Sequence, residues 1–253
     1  MLPYEIPDMG RRATVIAPGP RVREFPGVPE FVGPPENRSL VLGSGSELLL
    51  RDGPVAADGY DWYLAYFQRS IDQNQFGPQS AWVAAGPSGQ EPTLMEIGPL
   101  RCPVVPMSVA LLGSMTDMAR RDCLRDSSFE VHAVLEQCYM DGLHPFVEEP
   151  GWLGRFCPYL AYELGTSVAV AIHFPPSLLL PSGLSRGDVV RMVGHVNDPA
   201  ADDCRLVPGP DGDPAYEASP VDQQQTLLTC RAQFVVSEIE VTGHIDLANP
   251  FGF

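Results

Sequence analysis

A chain of 253 residues has room for one large domain or two smaller ones, each able to bury a core. Its formal charge of −16 works against phosphate backbones and anionic bilayers, because nucleic-acid binders draw most of their affinity from cations set on phosphates. All 16 basic residues are arginine, which removes Schiff-base and P-loop lysine chemistry, and 24 glycines with 27 prolines favour short strands and many turns, an all-β composition.

From Arg11 to Ala85 short β-type runs alternate with Gly and Pro at hairpin spacing: "RRATVIAPGPRVREFPG", "SLVLGSGSELLLRDGPVAADGYDWYLAYF" and "SAWVAAG". Within them "DGYDWYLAYF" (Asp58 to Phe67) packs five rings behind a turn-like Asp-Gly. Read as a strand, it puts Trp62, Leu64 and Tyr66 on one face and Tyr63, Ala65 and Phe67 on the other. Both faces carry rings, so one fills a core, and the other either forms an aromatic binding surface or packs on a second domain.

In this order "RVREFPG", "ELLLRDGPVAADGYDWYLAYF" and "AWVAAG" resemble the bacterial SH3-like (SH3b) domain, over about 75 residues. The resemblance implies a small barrel over residues 11–86. It also implies Tyr63 and Phe67 inside, with Tyr60, Trp62, Tyr66 and Trp82 outward as ligand-binding rings. In that family such rings help bind peptide or cell-wall strands, and aromatic grooves suit extended peptides in general.

Residues 87–107, "PSGQEPTLMEIGPLRCPVVPM", carry five prolines without a sustained period and read as a stiff linker. A second unit follows over 108–243. Four of its runs are strand-like: "SSFEVHAVLEQC" (127–138), "TSVAVAIHFP" (166–175), "GDVVRMVGHV" (187–196) and "CRAQFVVSEIEVTG" (230–243). In the third, Val189, Arg191, Val193 and His195 share one face and Val190, Met192, Gly194 and Val196 the other. Its pairing with "FVVSEIEV" resembles the last two strands of OB-fold domains, where a Gly-containing strand bends around a barrel. The connection 197–229 is longer, more acidic and richer in proline than that pattern, the mark of a functional loop or a partner's docking site. The tail 244–253 ends in Phe251 and Phe253, expected to dock on their own domain.

The six cysteines, Cys102, Cys123, Cys138, Cys157, Cys204 and Cys230, show no C-x-x-C pair and read as disulfides, against six buried thiols as the alternative. Fifteen pairings are open. A straight run between Cys123 and Cys138 would hold them too far apart to bond, which favours neighbours across loops: Cys102–Cys123, Cys138–Cys157 and Cys204–Cys230. Paired cysteines place the protein outside the cell or on its surface. The start "MLPYEIPDMGRR" lacks the apolar stretch of a secretory signal, so export requires one outside this numbering, and no run is long enough to span a bilayer.

Among the histidines His132, His144, His173, His195 and His244 none shows H-x-x-x-H spacing; each reads as a satisfied histidine, although His132 and His173 would meet if their strands paired. "GSGSE" at Gly43 has the wrong spacing for a nucleophile elbow. Asp198, Asp202, Asp203, Asp211 and Asp213 offer oxygen ligands to calcium but fit no EF-hand register and read as a solvated loop. No cofactor and no metal are expected.

The expectation is therefore two small β-barrels, SH3-like then OB-like, acting as a non-catalytic extracellular module on cell-wall peptide, glycan or a surface protein, with self-association also open. The rivals are a metal- or thiol-dependent enzyme with its site in the second domain, and an OB-type nucleic-acid binder using Arg186, Arg191 and Arg205.

Overall fold

The structure, a computed structural model, describes residues 9–17, 20–23, 25–27, 40–68, 78–137, 159–166, 168–175, 177–204 and 220–246. The fold is all-β: two sheets accompanied by three short helices, α1 (Val109–Ser114), α2 (Asp117–Cys123) and α3 (Pro220–Arg231), among the described residues. The chain divides into two units. One comprises Met1–Pro103, Thr116–Cys123 and Ser219–Gln225; the other comprises Val104–Met115, Leu124–Ala218 and Thr226–Phe253.

The first unit is built on strands β1 (Gly10–Val15), β2 (Arg21–Arg23), β3 (Leu40–Val41), β4 (Glu47–Ala57), β5 (Tyr60–Gln68), β6 (Pro78–Pro87) and β7 (Met95–Arg101). They form one antiparallel sheet in the order β3-β2-β6-β5-β4-β1-β7. Asp58 and Gly59, at φ 51° and 75°, turn β4 into β5; Asp-Gly is the pair that accepts left-handed backbone in a two-residue hairpin. Alternation then sends Leu48 and Leu50 of β4 to the same side as Ala65 and Phe67 of β5. With Ala13, Val15, Val83, Ala85 and Met95 they make the core of this unit, and Tyr63 packs against it.

The linker expected over 87–107 is corrected here. Met95–Arg101 is β7, paired with β1. Pro99 is tolerated because β7 is an edge strand and Pro99 falls in the irregularity between the Ile97 and Leu100 pairs, where it has no register partner on β1. Residues beyond the expected boundary at 108 also belong to this unit, since α2 packs on β4, β1 and β7.

The second unit contains β8 (Phe129–Gln137), β9 (Tyr159–Tyr162), β10 (Ala169–His173), β11 (Asp188–His195) and β12 (Phe234–His244). They close into a barrel in the order β10-β12-β11-β8-β9. All pairs are antiparallel except β10 with β12, which meet in parallel at Ile172–Phe234 and His173–Val235. The four predicted runs contain β8, β10, β11 and all of β12 but its last residue, His244, and β11 pairs with β12 as expected. Val190 and Met192 of β11 are buried opposite Ala133 and Val131 of β8, so the even-numbered face of β11 points inward. Helix α1 is capped by Ser108, whose hydroxyl accepts from the Leu111 N–H, and Ala110 N–H donates to Glu163 at 2.7 Å.

Gly194 has a packing reason. A Cβ there would lie 2.3 Å from the Val235 carbonyl and 2.7 Å from the Phe234 ring, which itself stacks on Phe129 with centroids 5.1 Å apart. Gly194→Ala is expected to destabilise the protein by about 1–3 kcal/mol, because backbone rather than a flexible side-chain tip would have to yield. Urea denaturation of the variant beside the wild type checks this.

Candidate functional site

The rings expected on one outward face of β5 and β6 divide. Trp62 and Trp82 are 1% and 6% exposed, so the sequence reading of both as surface ligands is corrected. Trp62 sits opposite Val55 and Ala84, its indole N–H donates to the Ala57 carbonyl at 3.0 Å, and the Arg23 guanidinium lies 5.6 Å over its ring. Arg23 is fixed in turn by donating to the Gly27 carbonyl at 2.7 Å. A satisfied indole under a cation is a packing arrangement, and it fills this end of the face. Phe67 is buried and Tyr63 packs on the core, as the sequence indicated.

At the other end the face stays accessible. Tyr66 lies between Leu49 of β4 and Ser80 of β6, and the Arg51 guanidinium stands 4.5 Å over its ring while donating to the Ser80 hydroxyl at 3.1 Å. Tyr60 is 43% exposed but stands beside the hairpin turn, at the Trp62 end of β5 and six residues from Tyr66. Arg51 was not among the residues singled out from the sequence. The alternation of Leu48 and Leu50 nevertheless puts it on the outward side, next to the ring row.

Helix α2 brings charge to this unit. Arg121 donates to Asp52 at 2.5 Å, both side chains being under a tenth exposed, and Asp52 also accepts from the Gly53 N–H at 2.8 Å. Burial pushes the Asp52 carboxyl above its ordinary range, and Arg121 pulls it back down. Burial likewise lowers Arg120, against the opposing pull of Asp117 at 3.4 Å.

In the second unit the histidines do not meet as the sequence suggested. His132 is exposed on β8 beside Glu130 at 3.2 Å, whereas His173 is buried on β10, and β8 and β10 are not neighbours in the barrel. The structure instead brings His173 and His195 to either side of Val235. His195 Nε2 is 2.8 Å from Asp198 Oδ2, and the other Asp198 oxygen accepts from the Ala200 N–H, capping the short helix Pro199–Asp203. Burial lowers the His173 pKa and Asp198 raises it. At the far end of the β11–β12 pair His244 contacts Asp188 at 2.8 Å, and Ser185 donates to the same carboxylate. Among the described residues no group of three His, Cys, Asp or Glu is arranged to hold a metal ion.

Asp202 pairs with Arg231 of α3; Asp211 and Asp213 lie outside the described residues, as do His144, Arg205 and the terminal Phe251 and Phe253. The connection expected as one long loop over 197–229 holds the short helix and α3. Of the cationic cluster, Arg186 donates to Glu136 at 3.0 Å and Arg191 to Glu130 at 2.7 Å, so carboxylates occupy both.

Two cysteine pairs stand at disulfide distance. Cys102 and Cys123, with Cα atoms 5.4 Å apart, tie the end of β7 to α2, and Cys204 and Cys230, 6.5 Å apart, tie the short helix to α3. Both are pairs favoured from loop geometry; Cys138 and Cys157 lie outside the described residues. No helix among the described residues is long and apolar enough to cross a membrane.

The fold and these sites define an all-β protein of two units, each with its own cysteine pair. No protein-family model, curated protein or solved structure matches the chain.

Proposed function

We propose that the chain is a non-catalytic extracellular binding module, SH3b-like in its first unit and OB-like in its second, that recognises cell-wall peptide or glycan, or a surface protein, through the first unit. The observation that carries this reading is the pairing of Arg51 with Tyr66 on the partly exposed end of the sheet face. A flat ring and a fixed guanidinium presented together suit an extended peptide with a carboxylate, at little ordering cost. The cysteine pairs support an oxidising compartment. The five-strand order with its single parallel pair supports the OB-like reading. The nucleic-acid rival has little support, because Arg186 and Arg191 are already matched to carboxylates.

The test is retention on purified wall polymer of wild type, Tyr66→Ala and Arg51→Ala. Each substitution is expected to weaken retention about tenfold while the thermal transition moves little, since both side chains are only half-buried. Retention unchanged by both would reject the face. In parallel, thiol titration of the unfolded, unreduced chain is expected to leave Cys102, Cys123, Cys204 and Cys230 unlabelled.

A further inference from the structure

Strand β12 is paired with β11 along its length, but on its other edge only Phe234 and Val235 pair, with β10. From Val236 onward no strand covers that edge among the described residues. The register with β11 shifts twice, skipping Ser237 and Thr242, and the hydroxyls of these two residues donate to the Val193 and Val189 carbonyls at 3.1 Å each. The two bulges therefore bracket a regular stretch, Glu238-Ile239-Glu240-Val241. Glu238 and Glu240 share the outer face, opposite Val193 and Arg191, while Ile239 and Val241 share the face opposite Met192 and Val190. Val241 is 41% exposed.

Natural sheet edges are commonly guarded by charged side chains, lysine above all, by proline, by bulges or by shortness. This stretch has neither lysine nor proline; it is short, flanked by bulges and guarded by glutamates, which repel acidic strands and attract a basic one. We infer that the β12 edge is a docking site for an extended peptide that alternates basic and apolar residues and adds as a strand. Its backbone would bond to the free edge, its cations would face Glu238 and Glu240, and its apolar residues would cover Ile239 and Val241. Arg191 sits 2.7 Å from Glu130 and 3.7 Å from Glu240, leaving the outer face with an excess of negative charge. A second copy on the same edge would set glutamates against glutamates, which disfavours it. The surface belongs to the second unit, and the inference is independent of the binding face proposed on the first.

The probe is a short capped peptide alternating arginine and valine, measured by calorimetry against the full chain. Binding is expected to weaken at least about tenfold when alternate peptide amides are N-methylated, which removes strand donors and keeps every charge. It is also expected to weaken in the Glu238→Arg, Glu240→Arg variant, which should in turn bind a peptide alternating glutamate and valine. Equal binding by the N-methylated peptide, or by one of the same composition with its arginines in a block, would overturn the inference as mere charge attraction. So would an absence of binding, or a dimer in sedimentation that the charge reversal abolishes or strengthens without peptide.

Discussion

Replacing Arg121 by alanine is expected to cost about 3–5 kcal/mol of stability at neutral pH, the range seen when one partner of a buried ion pair is removed. The carboxylate of Asp52 would be left under a tenth exposed, with the Gly53 N–H still bonded to it but, among the described residues, no cation beside it to offset its charge. The effect has a sign in pH. Burial already raises the Asp52 pKa in the folded state, and Arg121 lowers it. A carboxyl raised on folding favours the folded state below its unfolded pKa of about 3.9 and loses that contribution as pH rises through the folded value. Without Arg121 the folded value climbs further, so the cost of the substitution should be small near the acid end and complete by neutrality. Arg121→Met combined with Asp52→Asn should recover more than half of it, since the amide oxygen still accepts from Gly53 and no charge remains buried. Urea titrations with the cysteine pairs intact measure all three proteins. A cost that does not change with pH would show that the pair acts through packing alone.

Removing the second cysteine pair by Cys204→Ala with Cys230→Ala should cost about 3 kcal/mol in the chain-entropy account, given a separation of 26 residues. For a protein of this size that corresponds to a fall of about 6–12 °C in the thermal midpoint. Both cysteines are fully enclosed with Ala201, so the alanines leave a small void rather than an exposed polar group. Equal midpoints for the variant and the oxidised wild type would mean that packing of α3, not the covalent tie, holds this segment.

What could be read from the sequence follows the range of the physical signal. Period-two alternation is local, so "GDVVRMVGHV" disclosed its strand and its two faces, though not which of them points inward, and Asp58-Gly59 disclosed its hairpin. β7 escaped because Pro99 looks like a strand breaker until the strand is known to lie at a sheet end. Helix α3, "PVDQQQTLLTCR", has no clear apolar stripe and begins inside an acidic, proline-rich stretch, so nothing local announces it. The fate of Trp62 and Trp82 rested on partners far away in sequence. Arg23 and the Ala57 carbonyl decide that Trp62 is packing, and alternation alone could say only that both faces of β5 bear rings. The same alternation placed Arg51 outward, but its approach to Tyr66 required the β4–β5 register.

The tie between Cys204 and Cys230 also bears on how the barrel is assembled in time. His195 and Val235 are register partners separated by about forty residues of chain, a long search for two strand ends. Once the sulfurs are joined, the covalent path between those ends shortens to about fifteen residues, and a distant pairing becomes nearly a hairpin. Oxidation before collapse should therefore speed the zippering of β11 onto β12, and a chain that refolds reduced should lag at that step.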